Sequence, residues 1–119
     1  MVSQGIDGAK FIGETFDKYK IPYTYVMGNH DAELYDEGFS KAEVSSYLEN
    51  CNSPYLLYKS GYVQDDSENR YGNFSISIRD EITHDLLGAF VVLDTGVYDY
   101  ELGQYQSIND GQIAWYEEE

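Results

Sequence analysis

Cysteine, proline and basic side chains are scarce in this sequence, and each scarcity removes a class of protein. With one cysteine, Cys51, in 119 residues, neither a disulfide framework nor a cysteine zinc site can form within the chain, and Cys51 is expected to be a small buried apolar residue. Two prolines, no Ser/Gly tract and no repeat leave nothing to serve as a linker, so residues 1–119 read as one domain. Only seven Lys and Arg stand against 22 Asp and Glu, a formal charge of -15, which argues against nucleic acid and against an anionic membrane as partners. The same charge repels phosphate. It is compatible with cation binding, although a solvated surface rich in Asp and Glu explains it as well. Long apolar runs are missing too, and the opening Met1-Val2-Ser3-Gln4-Gly5 has neither a basic nor an apolar leader segment, so the chain is expected to be soluble.

What the sequence does have is aromatic surface, thirteen tyrosines among it, and a length at which a compact domain buries about two-thirds of its unfolded surface. From Gly5 to Tyr19 the residues Ile6, Ala9, Ile12 or Gly13, Phe16 and Tyr19 recur at helical spacing, with Asp7, Lys10, Glu14, Asp17 and Lys18 mostly on another face. Pro22 helps to end this amphipathic helix. The run Tyr23-Thr24-Tyr25-Val26-Met27 has no helical period and reads as a buried strand.

Directly after it stand Gly28-Asn29-His30-Asp31. A glycine at a strand end allows a tight turn, which delivers an amide, an imidazole and a carboxylate to one rim. An amide oxygen suits a hard or borderline metal, an imidazole moves protons or binds metal, and a neighbouring carboxylate can fix its tautomer. The plain alternative is a polar loop with a surface histidine. Average residue usage puts this tetrapeptide in a chain of such length by chance on the order of one time in a few thousand.

The rest is read element by element. Ala32–Phe39, with Glu33, Asp36 and Glu37, is expected to be a solvated acidic loop. Ser40 and Glu43 fit a capping box that starts a helix from Lys41 to Glu49, burying Ala42 or Val44, Tyr47 and Leu48. Tyr55–Tyr58 is a short strand, and Gly61–Tyr71, with Asp65, Asp66 and Glu68, is a loop without the ligand spacing of a calcium loop. Asn73–Ile78 alternates and Leu86–Leu93 is more thoroughly apolar, which suggests a hairpin with His84 as a surface turn residue. Asp94 at the second strand's end is assigned a structural role. Ser107–Asp110 can cap a last helix containing Ile113 and Trp115 or Tyr116.

The order of helix, Ile21-Pro22, strand and Gly28-Asn29-His30-Asp31 resembles the calcineurin-like metallophosphoesterases. Gly72-Asn73-Phe74, Leu93-Asp94-Thr95-Gly96 and Gln112-Ile113-Ala114-Trp115 follow in the order of the purple-acid-phosphatase-like branch. The resemblance spans about Ile6 to Glu118. It implies an α/β chain forming a partial metallophosphoesterase fold, part of a two-sheet sandwich flanked by helices. It also implies hydrolysis of phosphate mono- or diesters at two metal ions, iron, manganese or zinc. By that resemblance Asn29 ligates a metal, His30 contacts the phosphoryl oxygens or protonates the leaving group, and Asp31 orients His30.

The family also uses Asp-x-His and Gly-Asp blocks before this point and two histidine blocks after it, the last Gly-His-x-His. None occurs in this sequence, whose other histidine is His84. One amide oxygen cannot hold two dications, so the expectation is the middle of a phosphoesterase domain, inactive alone. The competing expectation is a non-catalytic remnant or interaction domain, self-associating through exposed sheet edges.

Overall fold

The computed structural model describes residues 5–28, 30–31, 40–62 and 70–119. The acidic loop 32–39 and the carboxylates Asp65, Asp66 and Glu68 lie outside the described residues, as does Asn29.

Helix α1, Gly5–Lys18, buries the predicted stripe: Ala9 is enclosed, with Ile12 and Phe16 packed on the core. It stops one residue earlier than the spacing suggests. Lys20 adopts φ 56°, its amide donates to Asp17 O at 3.1 Å and the Ile21 amide to Phe16 O at 3.1 Å, a left-handed cap that closes the last turn. That reversal swings Tyr19 off the stripe and into solvent, beside the Lys18 ammonium at 5.5 Å.

The next segment alternates as a strand would, with Tyr23, Tyr25 and Met27 buried and Val26 exposed. Its pairing is nonetheless minimal. Tyr23 N donates to Tyr55 O at 3.0 Å and Leu57 N to Tyr23 O at 2.8 Å, a single parallel bridge between Tyr23 and Leu56. Neither Tyr23–Met27 nor Tyr55–Tyr58 is therefore a continuous strand, because among the described residues no second pairing extends the ladder.

Helix α2, Lys41–Asn50, carries the expected capping box: Glu43 N donates to Ser40 Oγ at 3.2 Å and Ser40 N to Glu43 Oε2 at 2.8 Å. Val44 and Leu48 join the core, whereas Ala42 and Tyr47 are half-buried. Cys51, at the helix C-cap, is also only half-buried, its thiol donating to Leu48 O.

Strands β1, Phe74–Arg79, and β2, Leu86–Val92, form the expected antiparallel hairpin, with Phe74 opposite Val92 and Ile76 opposite Phe90. Asp80 Oδ1 ties its turn by accepting the Ile82 and Thr83 amides at 2.8 and 2.7 Å, and these bonds hold that carboxyl below its usual range. His84 is exposed there, at φ 62°. Burial departs from expectation: Phe74 and Val92 are enclosed at the root, but Leu87 is 67% and Phe90 63% exposed. The hairpin leaves the body, so apolar composition did not become burial.

A second, unexpected hairpin pairs β3, Tyr98–Asp99, with β4, Gln104–Tyr105, and helix α3, Asp110–Glu118, follows. The described residues thus make a small α/β chain of three helices and two two-stranded antiparallel sheets. None of these helices is long and apolar enough to cross a membrane. The core draws on α1, α2, the Tyr23–Met27 segment, Tyr58, Phe74 and Val92. Gly61, bridged to Asn73 at φ 65°, lets the chain run against it; a Cβ there would lie 1.9 Å from Asn73 O.

Candidate functional site

At the end of the extended Tyr23–Met27 segment the chain reverses sharply. Gly28 N donates to Asp31 Oδ2 at 2.6 Å and Asp31 N returns a bond to Gly28 O at 3.3 Å. These two bonds close a turn with His30 exposed at its tip. Asp31 was expected to orient His30; its described bond is to the Gly28 amide, which shapes the turn that carries the histidine. The His30 ring meets Tyr105 edge to face, centroids 5.4 Å apart at 74°. Tyr105 in turn packs on Tyr98 at 5.0 Å, its partner across β3 and β4. The small hairpin therefore reaches the turn from the opposite end of the sequence. Nothing near His30 in sequence announces Tyr105, and that is why sequence reasoning missed it.

Tyr105 also lines a cavity of about 220 Å³ together with Arg70, Ser107 and Asn109. The Arg70 guanidinium is committed there, its Nη1 donating to Ser107 O at 2.8 Å and to Gln112 Oε1 at 2.9 Å. It belongs to a buried polar network centred on Asp94. Lys41 Nζ donates to Asp94 Oδ1 at 2.7 Å and to Gly96 O at 2.9 Å, with both side chains of the ion pair fully enclosed. Tyr71 N and Gly96 N donate to the two carboxylate oxygens at 2.9 Å each. Asp94 N donates to Asn73 Oδ1 at 2.9 Å, and Gln112 Nε2 donates to both Asn73 Oδ1 and Asp94 O at 2.7 Å. The structural role expected for Asp94 is what these bonds describe.

Two features of this network were not anticipated from the sequence. Gln112 is the enclosed residue of α3, because its amide is drawn inward to serve Asn73 and Asp94. Trp115 is half-buried and stacks on Tyr62 at 5.9 Å. Lys41 is the other surprise. A cation in the first turn of a helix opposes the helix dipole, and that misplacement was the one local signal that it serves a tertiary partner.

No group of three or more His, Cys, Asp or Glu side chains among the described residues is placed to hold a metal ion. The donors described at the turn are one imidazole and one carboxylate already engaged by Gly28, which do not by themselves fit a binuclear centre. Compared with known proteins, the chain matches no family model, and no curated protein or solved structure is significantly similar to it. A functional reading therefore rests on the residues and their arrangement.

Proposed function

We propose that the chain is the histidine-bearing part of a calcineurin-like metallophosphoesterase domain of the purple-acid-phosphatase-like branch, and that its fold is a portion of that family's two-sheet sandwich. The complete domain hydrolyses phosphate mono- or diesters with two metal ions, and these residues alone are inactive. One observation carries the reading. Gly72-Asn73-Phe74, Leu93-Asp94-Thr95-Gly96 and the Gln112 helix were singled out by pattern, and their polar members, 21 and 18 residues apart in turn, meet in one buried hydrogen-bond network. That three blocks placed in the family's order pack as one unit supports the reading.

In this reading two ions, held by Asn29 together with ligands outside these residues, would supply Lewis acidity and would locally lessen the repulsion of a phosphate ester by a chain of formal charge -15. The residues here do not complete their ligand set, so the chain's own contribution is narrower. Asn29 would provide an amide oxygen to a metal. His30, exposed at the turn, reaches the phosphoryl oxygens or gives a proton to the departing alkoxide. Tyr105 limits the swing of that ring.

The test is hydrolysis of aryl phosphate mono- and diesters with manganese, iron or zinc, by this chain and by the product of its full reading frame. The chain alone should be silent. The full product should turn over, and His30→Ala or Asn29→Ala should cost at least about 100-fold, the scale of one general acid. A full frame lacking Asp-x-His and Gly-His-x-His blocks would sink the proposal.

A second reading, an interaction domain that pairs with its own copy, is favoured by the uncovered Leu86, Leu87 and Phe90 of the β1–β2 hairpin. Sedimentation of Leu87→Ser/Phe90→Ser against the parent separates the two readings. Loss of a dimer with no phosphatase activity in any form would favour it.

A further inference from the structure

The stretch 97–106 gives no side chain to the apolar core, yet a buried cation holds each of its ends. On the entry side Lys41 Nζ donates to Gly96 O at 2.9 Å, and Gly96 N donates to the Asp94 carboxylate at 2.9 Å. On the exit side Arg70 Nη1 donates to Ser107 O at 2.8 Å. Hydrogen bonds from cations are stronger than neutral ones, so both ends are fixed although the stretch between them is largely wetted. Gln106 then joins entry to exit. Its backbone N donates to Val97 O at 2.9 Å, and its side-chain Oε1 accepts from Val97 N at 3.0 Å. Gly96 stands at φ 95°, and a Cβ there would collide with Gln106 Oε1, so this close approach requires glycine.

The far end of the hairpin is tied as well. Asp99 Oδ1 accepts the Glu101 and Leu102 amides at 2.9 and 3.0 Å, and Gly103 N donates to Asp99 O at 2.8 Å. Between these two closures lies Tyr105, beside Gln106 in sequence and opposite Tyr98 in β3, with its ring 5.4 Å from that of His30. A continuous set of contacts therefore runs from the Lys41–Asp94 ion pair through Gly96, Val97 and Gln106 to the imidazole. That gives a use to charges whose burial is otherwise only a cost. We propose that Lys41 and Gln106 are positioning residues for His30: they clamp the root of the β3–β4 hairpin and so hold the Tyr105 ring against the imidazole, which keeps one orientation at the turn. The inference rests on the phosphoesterase reading for what His30 then does, since an acid that must reach one oxygen loses rate when its ring can swing.

The test reads the chain's two histidines in one NMR spectrum, with His84 in its exposed turn as the reference. In the parent chain the Tyr105 ring current should set the His30 ring protons apart from those of His84. Tyr105→Ala should bring them to the His84 positions, and Tyr105→Phe, which keeps the ring, should not. Lys41→Met releases Gly96 O and should move them part of the way. Gln106→Ala unfastens Val97 from within the hairpin and should do the same, which keeps the test open if Lys41→Met does not fold. In the product of the full reading frame, Gln106→Ala should lower kcat about tenfold and leave KM unchanged, because only the placement of the acid is disturbed. His30 resonances unmoved by Tyr105→Ala, or unmoved by folded Gln106→Ala, would overturn the proposal. A full product without phosphatase activity would count against the phosphoesterase reading instead, while the histidine spectrum still decides the clamp.

Discussion

The network around Asp94 and the β1–β2 hairpin are opposites in one small chain. In the first, Lys41, Arg70 and Asp94, all charged, are buried; in the second, Leu86, Leu87 and Phe90, all apolar, stand in solvent. The difference lies in how many segments arrive. Residues from α2, the Arg70–Asn73 stretch, the end of β2 and α3 converge on Asp94, and each brings a donor or acceptor that another needs. The hairpin has only its own two strands and its root in the core. A polar group is tolerated inside when its partners are complete, and an apolar one stays outside when nothing packs on it.

The comparison can be broken at its polar end first. Lys41→Met removes one partner of a fully enclosed ion pair and leaves Asp94 buried without its cation, for an expected loss of about 3–5 kcal/mol in urea unfolding. A loss under about 1 kcal/mol would mean that water reaches Asp94 and that the network is not a closed interior. Gln112→Ala strips the amide shared by Asn73 and Asp94 and should cost about 1–3 kcal/mol for the acceptors left unserved.

Base should sharpen the contrast next. Burial, opposed by its bond to Ser45, pushes the Tyr58 hydroxyl from 10.0 up to about 12, and burial raises that of Tyr25 as well. A group whose folded pKa is raised keeps its stabilising share below the unfolded value and loses it as pH climbs through the folded one. Stability should therefore fall between pH 10 and about 12, read by circular dichroism beside phenolate absorbance. Tyr58→Phe should flatten part of that fall. Unfolding that begins well below pH 10 would assign base sensitivity to other groups.

At the apolar end the expected effect is smallest. Leu87→Ser/Phe90→Ser, at exposed positions, should change unfolding by no more than about 0.5 kcal/mol per site. It should nevertheless lower any self-association seen by sedimentation. A large stability loss would show that the hairpin face is covered in solution.

Local signals were legible where one stretch suffices. The stripe of α1 as far as Phe16, the Ser40–Glu43 capping box and the alternating β1 each depend on neighbours a few residues away, and each stands within a residue of where the spacing put it, Tyr19 alone leaving the stripe. The turn that carries His30 was legible in outline, since a glycine after an extended apolar run leaves few other paths. Burial was not. Alternation in β1 and the apolar run of β2 state which side chains suit a core, not whether a second layer arrives to make one.

What the sequence determined by itself is the three helices and the β1–β2 hairpin, the acidic balance and the chemical types gathered at Gly28–Asp31, because propensity, capping and charge act within a turn or two of the chain. Only the tertiary structure decided that Lys41 pairs with Asp94 across 53 residues, that Gln112 turns inward, and that Tyr105 comes to rest on His30. Those choices depend on which distant group completes a buried hydrogen bond or closes against a ring, and no window of neighbouring residues contains both partners.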